Sequence, residues 1–84
     1  MYVVVGSSTT AARLKKAAEK IVGFPAYVVH TPSEIRHGGC SYSVRFDDRA
    51  INEIRKIVSD SGINIRGIYK EKTENGERVF YAVS

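Results

Sequence analysis

The alternation of apolar and polar positions predicts two strand–helix units along the chain. The first unit begins with a β-branched run at residues 2–5, which predicts a strand buried on both faces and ending at Gly6. Hydroxyl side chains at residues 7–10 can cap a helix that ends at Gly23, and a second strand is predicted at residues 26–30. The expected core positions of this helix are Leu14, Ala17 or Ala18, and Ile21.

The second unit begins where the period of the pattern changes to two. Cys40, Tyr42, Val44 and Phe46 alternate with Ser41, Ser43 and Arg45. This alternation predicts a strand with one buried face and one exposed face. Asp47 or Asp48 can cap a second helix that ends at Gly62. Its expected apolar stripe is Ile51, Ile54, Ile57 and Val58.

The C-terminal part of the chain predicts two further strands. A fourth strand is expected over residues 63–72, with a bulge at Gly67. Asn75-Gly76 favours a type I′ turn, after which residues 78–83 return as a short fifth strand.

The order of these elements predicts one α+β domain over residues 1–84, a ferredoxin-like βαββαβ sandwich. We expect a mainly antiparallel sheet with two helices on one face and a short extra C-terminal hairpin strand. We also expect the first and third strands to be parallel neighbours. Residues 6–10 and Cys40 would then lie at opposite edges of the sheet, about 23 Å apart. The Cys40 edge would hold the helix C-termini, whose partial negative charge disfavours a thiolate.

Composition narrows the class of protein further. The 84 residues carry a net charge of +4, but acidic residues interrupt the basic ones, which is typical of a solvated mixed-charge surface. We therefore do not expect nucleic-acid binding, and the exposed positions of the third strand offer no aromatic platform for bases. No apolar run approaches the roughly 18 residues of a membrane span, so a cytoplasmic protein is expected. A single cysteine excludes an internal disulfide, and no metal site or cofactor is expected.

Cys40 is the one residue that predicts covalent chemistry, and two interpretations are open. It is either a reactive thiolate or a small buried hydrophobic side chain, and its parity with Tyr42 favours the buried side chain. The groups that could stabilise a thiolate are Arg36, His37 and the backbone amides of Gly38 and Gly39. His30 and His37 could also act as bases, although strand-end residues without a catalytic role are favoured.

A second candidate site lies at the start of the first helix. Ser7, Ser8 and Thr9 could bind an anion through free backbone amides. Plain helix capping is the favoured interpretation, because the segment lacks the spacing and the lysine of a P-loop.

The segment from Thr31 to Phe46 resembles a family of small bacterial proteins described as selenium or sulfur carrier-like. The matching residues are Thr31, Pro32, Glu34, Ile35, Cys40, Arg45 and Phe46, with Gly67-Ile68-Tyr69 later in the chain. The resemblance implies that Cys40 holds a persulfide, received from a donor such as a cysteine desulfurase and passed to an acceptor protein. Arg36, His37, Gly38 and Gly39 would stabilise its thiolate and persulfide anion.

A non-enzymatic module is the alternative function. In that case the domain binds a small anionic ligand or forms a homodimer through its open sheet face, and Cys40 is structural. The sequence leaves open whether the protein is an enzyme, and it does not distinguish sulfur from selenium.

Overall fold

The computed structural model describes residues 1–22, 25–36 and 41–83. These residues form two α-helices and five strands. In chain order they are β1 (Tyr2–Val5), α1 (Ser8–Val22), β2 (Ala26–His30), β3 (Tyr42–Phe46), α2 (Ile51–Ser61), β4 (Gly67–Glu74) and β5 (Glu77–Ala82). Two short 3₁₀ turns lie at Ser33–Ile35 and Asp48–Ala50. The fold is therefore α+β.

The five strands form one open sheet in the order β2-β3-β1-β4-β5, and all neighbouring strands are antiparallel. The expectation that β1 and β3 are parallel is wrong. Val5 pairs with Tyr42 and Tyr2 with Arg45, so β1 ends where β3 begins. The reason is topological: α1 carries the chain from β1 to a parallel β2, and β3 returns antiparallel between these two strands.

Both helices pack on one face of the sheet. Leu14 and Ala18 of α1 and Ile54 of α2 share one buried cluster with Val3 of β1 and Val44 of β3. The apolar stripes predicted for the two helices therefore face the core. The side chain of Ile21 lies outside the described part of the structure.

Three local features set the ends of the elements. Asp47 accepts a hydrogen bond from the backbone N–H of Arg49 at the 3₁₀ turn that leads into α2, and Gly62 ends α2 with a left-handed φ of 64°.

The strand β4 begins at Gly67 rather than at residue 63. Gly67 pairs with Val4 at the start of this strand, and the backbone N–H of the preceding Arg66 donates to the carbonyl of the same Val4. The bulge at Gly67 stays a prediction. Asn75 and Gly76 both have positive φ between β4 and β5.

Within the described ranges, neither helix is long and apolar enough to cross a lipid bilayer.

Candidate functional site

The ends of β1 and β2 and the start of β3 lie at the same edge of the sheet, which we call the Ser41 edge. Its residues are Gly6, Ser7, His30, Thr31, Ser41 and Arg66. Val5 pairs with Tyr42, and His30 of β2 pairs with the same tyrosine from the other side. The expectation that residues 6–10 and the start of β3 lie at opposite edges is therefore wrong. His37, Gly38, Gly39 and Cys40 lie outside the described residues, although Cys40 directly precedes Ser41 in the chain.

The N-terminus of α1 lies at the Ser41 edge. The hydroxyl of Ser7 accepts a hydrogen bond from the backbone N–H of Thr10 at 3.2 Å, and the Ser7 carbonyl accepts one from Ala11 at 3.1 Å. Ser7 is therefore the cap of this helix. The amides of Ser8 and Thr9 in the first turn have no hydrogen-bond acceptor among the described residues, and they carry the partial positive charge of the helix end.

The polarity of the helices at this edge differs from the expectation. The sequence predicts that the edge at the start of β3 holds the C-termini of the helices. Instead α1 begins there and α2 ends there, since the backbone N–H of Arg66, a few residues after α2, donates to the carbonyl of Val4 at 2.7 Å. The electrostatic argument against a thiolate at this edge therefore no longer holds, because one helix end is positive and the other negative.

Arg66 is a residue of this edge that sequence reasoning missed. Its guanidinium lies above Gly6: a Cβ atom on Gly6 would be 3.5 Å from an Nη of Arg66. Arg66 is exposed, and within the described part of the chain no carboxylate pairs with it. The signal in the sequence that could have located Arg66 is its position just before β4. Because β4 is antiparallel to β1, β4 begins at the edge where β1 ends.

The segment that leads from β2 toward Cys40 is anchored to the sheet by hydrogen bonds. Thr31 is buried, and its Oγ1 lies 2.7 Å from the Oγ of Ser43, which is fully buried. The backbone N–H of Thr31 also donates to the carbonyl of Ser41 at 3.1 Å. These two contacts fix the point where the segment leaves the Ser41 edge.

The same segment then lies across the sheet face opposite the helices. Ile35 is only 5% exposed and packs in a second apolar cluster with Tyr2 and Val4 of β1. Phe80 of β5 packs against this cluster and meets the Tyr2 ring edge-on, with 5.7 Å between ring centroids. The central strand of the sheet therefore does not present a bare face to a dimer partner or to nucleic-acid bases.

An ion pair joins this segment to β5. The Glu34 carboxylate lies 3.1 Å from the guanidinium of Arg78, which also approaches Glu71 at 3.4 Å. The pKa of Glu34 is lowered from its ordinary value, first by a hydrogen bond from its own backbone N–H and second by the Arg78 side chain. Glu34 and Ile35, two of the residues that carry the family resemblance, therefore hold the segment in place.

Three other polar residues complete the description of the edge. Arg36 is exposed and ends the described part of the segment, and His30 stacks against Tyr42 with 5.1 Å between ring centroids. The hydroxyl of Ser41 is buried and has no hydrogen-bond partner among the described residues. In those same residues, no three His, Cys, Asp or Glu side chains converge on one point.

Comparison with known proteins gives one family. A family model described as "Putative Se/S carrier protein-like" matches residues 1–70, most of the 84-residue chain. No curated protein and no solved structure matches the chain.

Proposed function

Since the chain belongs to the "Putative Se/S carrier protein-like" family, we propose that Cys40 carries one sulfur or selenium atom between a donor and an acceptor protein. Cys40 is the only cysteine of the chain, so a carried sulfur has only this thiol as its attachment point. The observation that supports the proposal most directly is the electrostatic character of the Ser41 edge.

The groups at this edge suit a sulfur anion. The amides of Ser8 and Thr9 are unpaired among the described residues, and the Arg66 guanidinium lies beside Gly6 without a described carboxylate partner. Helix N-termini and nearby cations lower the free energy of a thiolate, and the same applies to a persulfide anion. Cys40 directly precedes Ser41 in the chain, and in this proposal its chemistry takes place next to this edge. His37, Arg36 and the amides of residues 38–39 are further stabilising groups in this proposal.

The transfer needs no external oxidant or reductant. The Cys40 thiolate attacks the outer sulfur of a donor persulfide, a new S–S bond forms, and the donor S–S bond breaks with its electron pair on the donor thiolate. A nucleophile of the acceptor then attacks the outer sulfur on Cys40, and the electron pair of that S–S bond returns to the Cys40 thiolate. Selenium at the same oxidation level follows the same two displacements.

Mass spectrometry tests the proposal. The protein is incubated with a cysteine desulfurase and free cysteine, and intact masses are measured before and after treatment with a thiol reductant. We expect a gain of one sulfur atom, which maps to the peptide containing Cys40 and is lost on reduction. The Cys40→Ala variant, which has no thiol, is the matched control. An unchanged mass of the folded wild-type protein, with the desulfurase active on another acceptor, would contradict the proposal.

A further inference from the structure

A groove of about 320 Å³ lies between α1 and the segment that follows α2. It is separate from the contacts described for the Ser41 edge. The residues that line it are Arg13, Lys16, Ala17, Lys20, Ser61 and Ile63. In the part of the chain that the structure describes, no carboxylate side chain contributes to this lining, so the side-chain charge of the groove is positive.

The three cations of the groove form one row on α1. Arg13, Lys16 and Lys20 are three and four residues apart, a spacing that places side chains on the same side of an α-helix. All three are exposed, and none forms an ion pair with any residue that the structure describes. The intrahelical pair of α1, Lys15 with Glu19 at 3.0 Å, belongs to a different row. The positive charge of this row is therefore available to a partner.

The lower part of the groove is aliphatic. Ile63 is only 7% exposed and belongs to the main core, and Ala17 packs against that core at half-burial. Among the described residues no aromatic side chain lines the groove, so this part of the chain offers it no stacking surface of the kind with which proteins hold unpaired bases. An aliphatic floor with a row of cations instead complements an apolar side chain flanked by carboxylates, the pattern of an acidic amphipathic protein segment.

One end of the groove connects in the chain to the Ser41 edge. Ile63 is three residues before Arg66, whose backbone N–H donates to Val4 at the end of β1. We propose that the groove docks an acidic segment of the protein that donates sulfur to this chain or accepts sulfur from it. The inference rests on the carrier function proposed above, because a carrier must bind both proteins next to the reacting thiol.

Peptide binding tests this inference without any sulfur transfer. The probe is a synthetic peptide with one central leucine flanked on both sides by glutamates, added to the full chain labelled with ¹⁵N and followed by NMR. We expect amide shifts at Arg13, Lys16, Lys20 and Ile63. We expect Lys16→Glu to weaken binding about three- to tenfold. Lys56→Glu makes the same change of charge on α2 outside the groove and should leave the affinity unchanged.

Three results would overturn the inference. The first is no binding of the glutamate peptide, or equal binding of a peptide with lysines in place of the glutamates. The second is an equal loss of affinity in Lys16→Glu and Lys56→Glu, which would indicate nonspecific attraction. The third is tighter binding of a single-stranded oligonucleotide to the same residues. If the persulfide assay fails and the peptide still binds, the groove remains a docking site and only the identity of its partner changes. If the peptide does not bind, the docking inference is wrong and the persulfide result on Cys40 still stands.

Discussion

The hydroxyl oxygens of Thr31 and Ser43 lie 2.7 Å apart, and both residues are buried. One side chain belongs to the segment that leads toward Cys40 and the other to the strand that leads away from it. The hydrogen bond therefore ties together the two ends of the connection that contains the proposed sulfur-carrying residue. It also gives the hydroxyl of Thr31, the first residue of the segment that resembles the family, a buried partner.

We expect Thr31→Val to lower the free energy of unfolding by about 1–2 kcal/mol, because the Ser43 hydroxyl is then buried without a partner. Ser43→Ala should have a similar effect through the Thr31 hydroxyl. The double variant should lose less than the sum of the two, since no unpaired hydroxyl remains. Urea unfolding measures the free energy of unfolding of the wild type, the two single variants and the double variant. Additive losses in the double variant would contradict the buried hydrogen bond.

Local sequence patterns predicted most of the elements. Three of these patterns depend on neighbours a few residues apart: the Ser/Thr cluster before α1, the glycine after α2 and the alternation in β3. Each of these elements is present. The exposed face predicted for the third strand is wrong at two positions, because Ser41 and Ser43 are buried and only Arg45 is exposed. The start of β4 was misplaced because Ile63 is buried without being in a strand; it packs in the core beside the helices. The ferredoxin-like assignment itself stays a prediction.

The candidate site was harder to predict because it depends on strand direction. A parallel arrangement of β1 and β3 would place residues 6–10 and the start of β3 at opposite edges of the sheet. The observed antiparallel pairing of Val5 with Tyr42 brings these two segments to the same edge. The approach of Arg66 to Gly6 joins residues 60 positions apart and leaves no periodic trace in the sequence. The roles predicted for His37, Gly38, Gly39 and Cys40 stay predictions, since these residues lie outside the described ranges.

Arg66 provides a test of the electrostatic argument. We expect Arg66→Gln to slow the alkylation of Cys40 by iodoacetamide at neutral pH about 1.4- to fivefold, because an exposed charge interaction contributes roughly 0.2–1 kcal/mol. The difference from wild type should shrink as the salt concentration rises, since salt screens exposed charges. The measurement is the second-order rate constant, obtained by mass spectrometry of the alkylated protein.

Two variants control for a general effect of charge or size. Arg66→Lys keeps the positive charge and should retain most of the wild-type rate. Arg45→Gln removes an arginine from the opposite edge, where Arg45 pairs with Tyr2, and should leave the rate unchanged. An equal rate in wild type and Arg66→Gln, or an equal decrease in Arg45→Gln, would exclude a specific role for Arg66.

The ion pair between Glu34 and Arg78 predicts a pH dependence of stability. The folded protein lowers the pKa of Glu34 below its ordinary value of 4.5, first through a hydrogen bond from its own backbone N–H and second through Arg78. A carboxyl group with a lowered folded-state pKa stabilises the fold at pH values above its unfolded-state pKa. This contribution is lost as the pH falls through the folded-state value. Stability should therefore decrease as the solution becomes more acidic than pH 4.5.

The Arg78→Gln variant separates the two causes of the lowered Glu34 pKa, the backbone hydrogen bond and the Arg78 side chain. We expect it to raise the NMR titration midpoint of the Glu34 carboxyl carbon toward 4.5 without reaching that value, because the backbone hydrogen bond, the larger cause, remains. The free energy of unfolding of this variant should also fall less steeply in acid than that of the wild type. Lys56→Gln, which removes an exposed charge from α2, is the matched control. A Glu34 midpoint that is the same in wild type and Arg78→Gln would show that the ion pair does not hold the segment to β5 in solution.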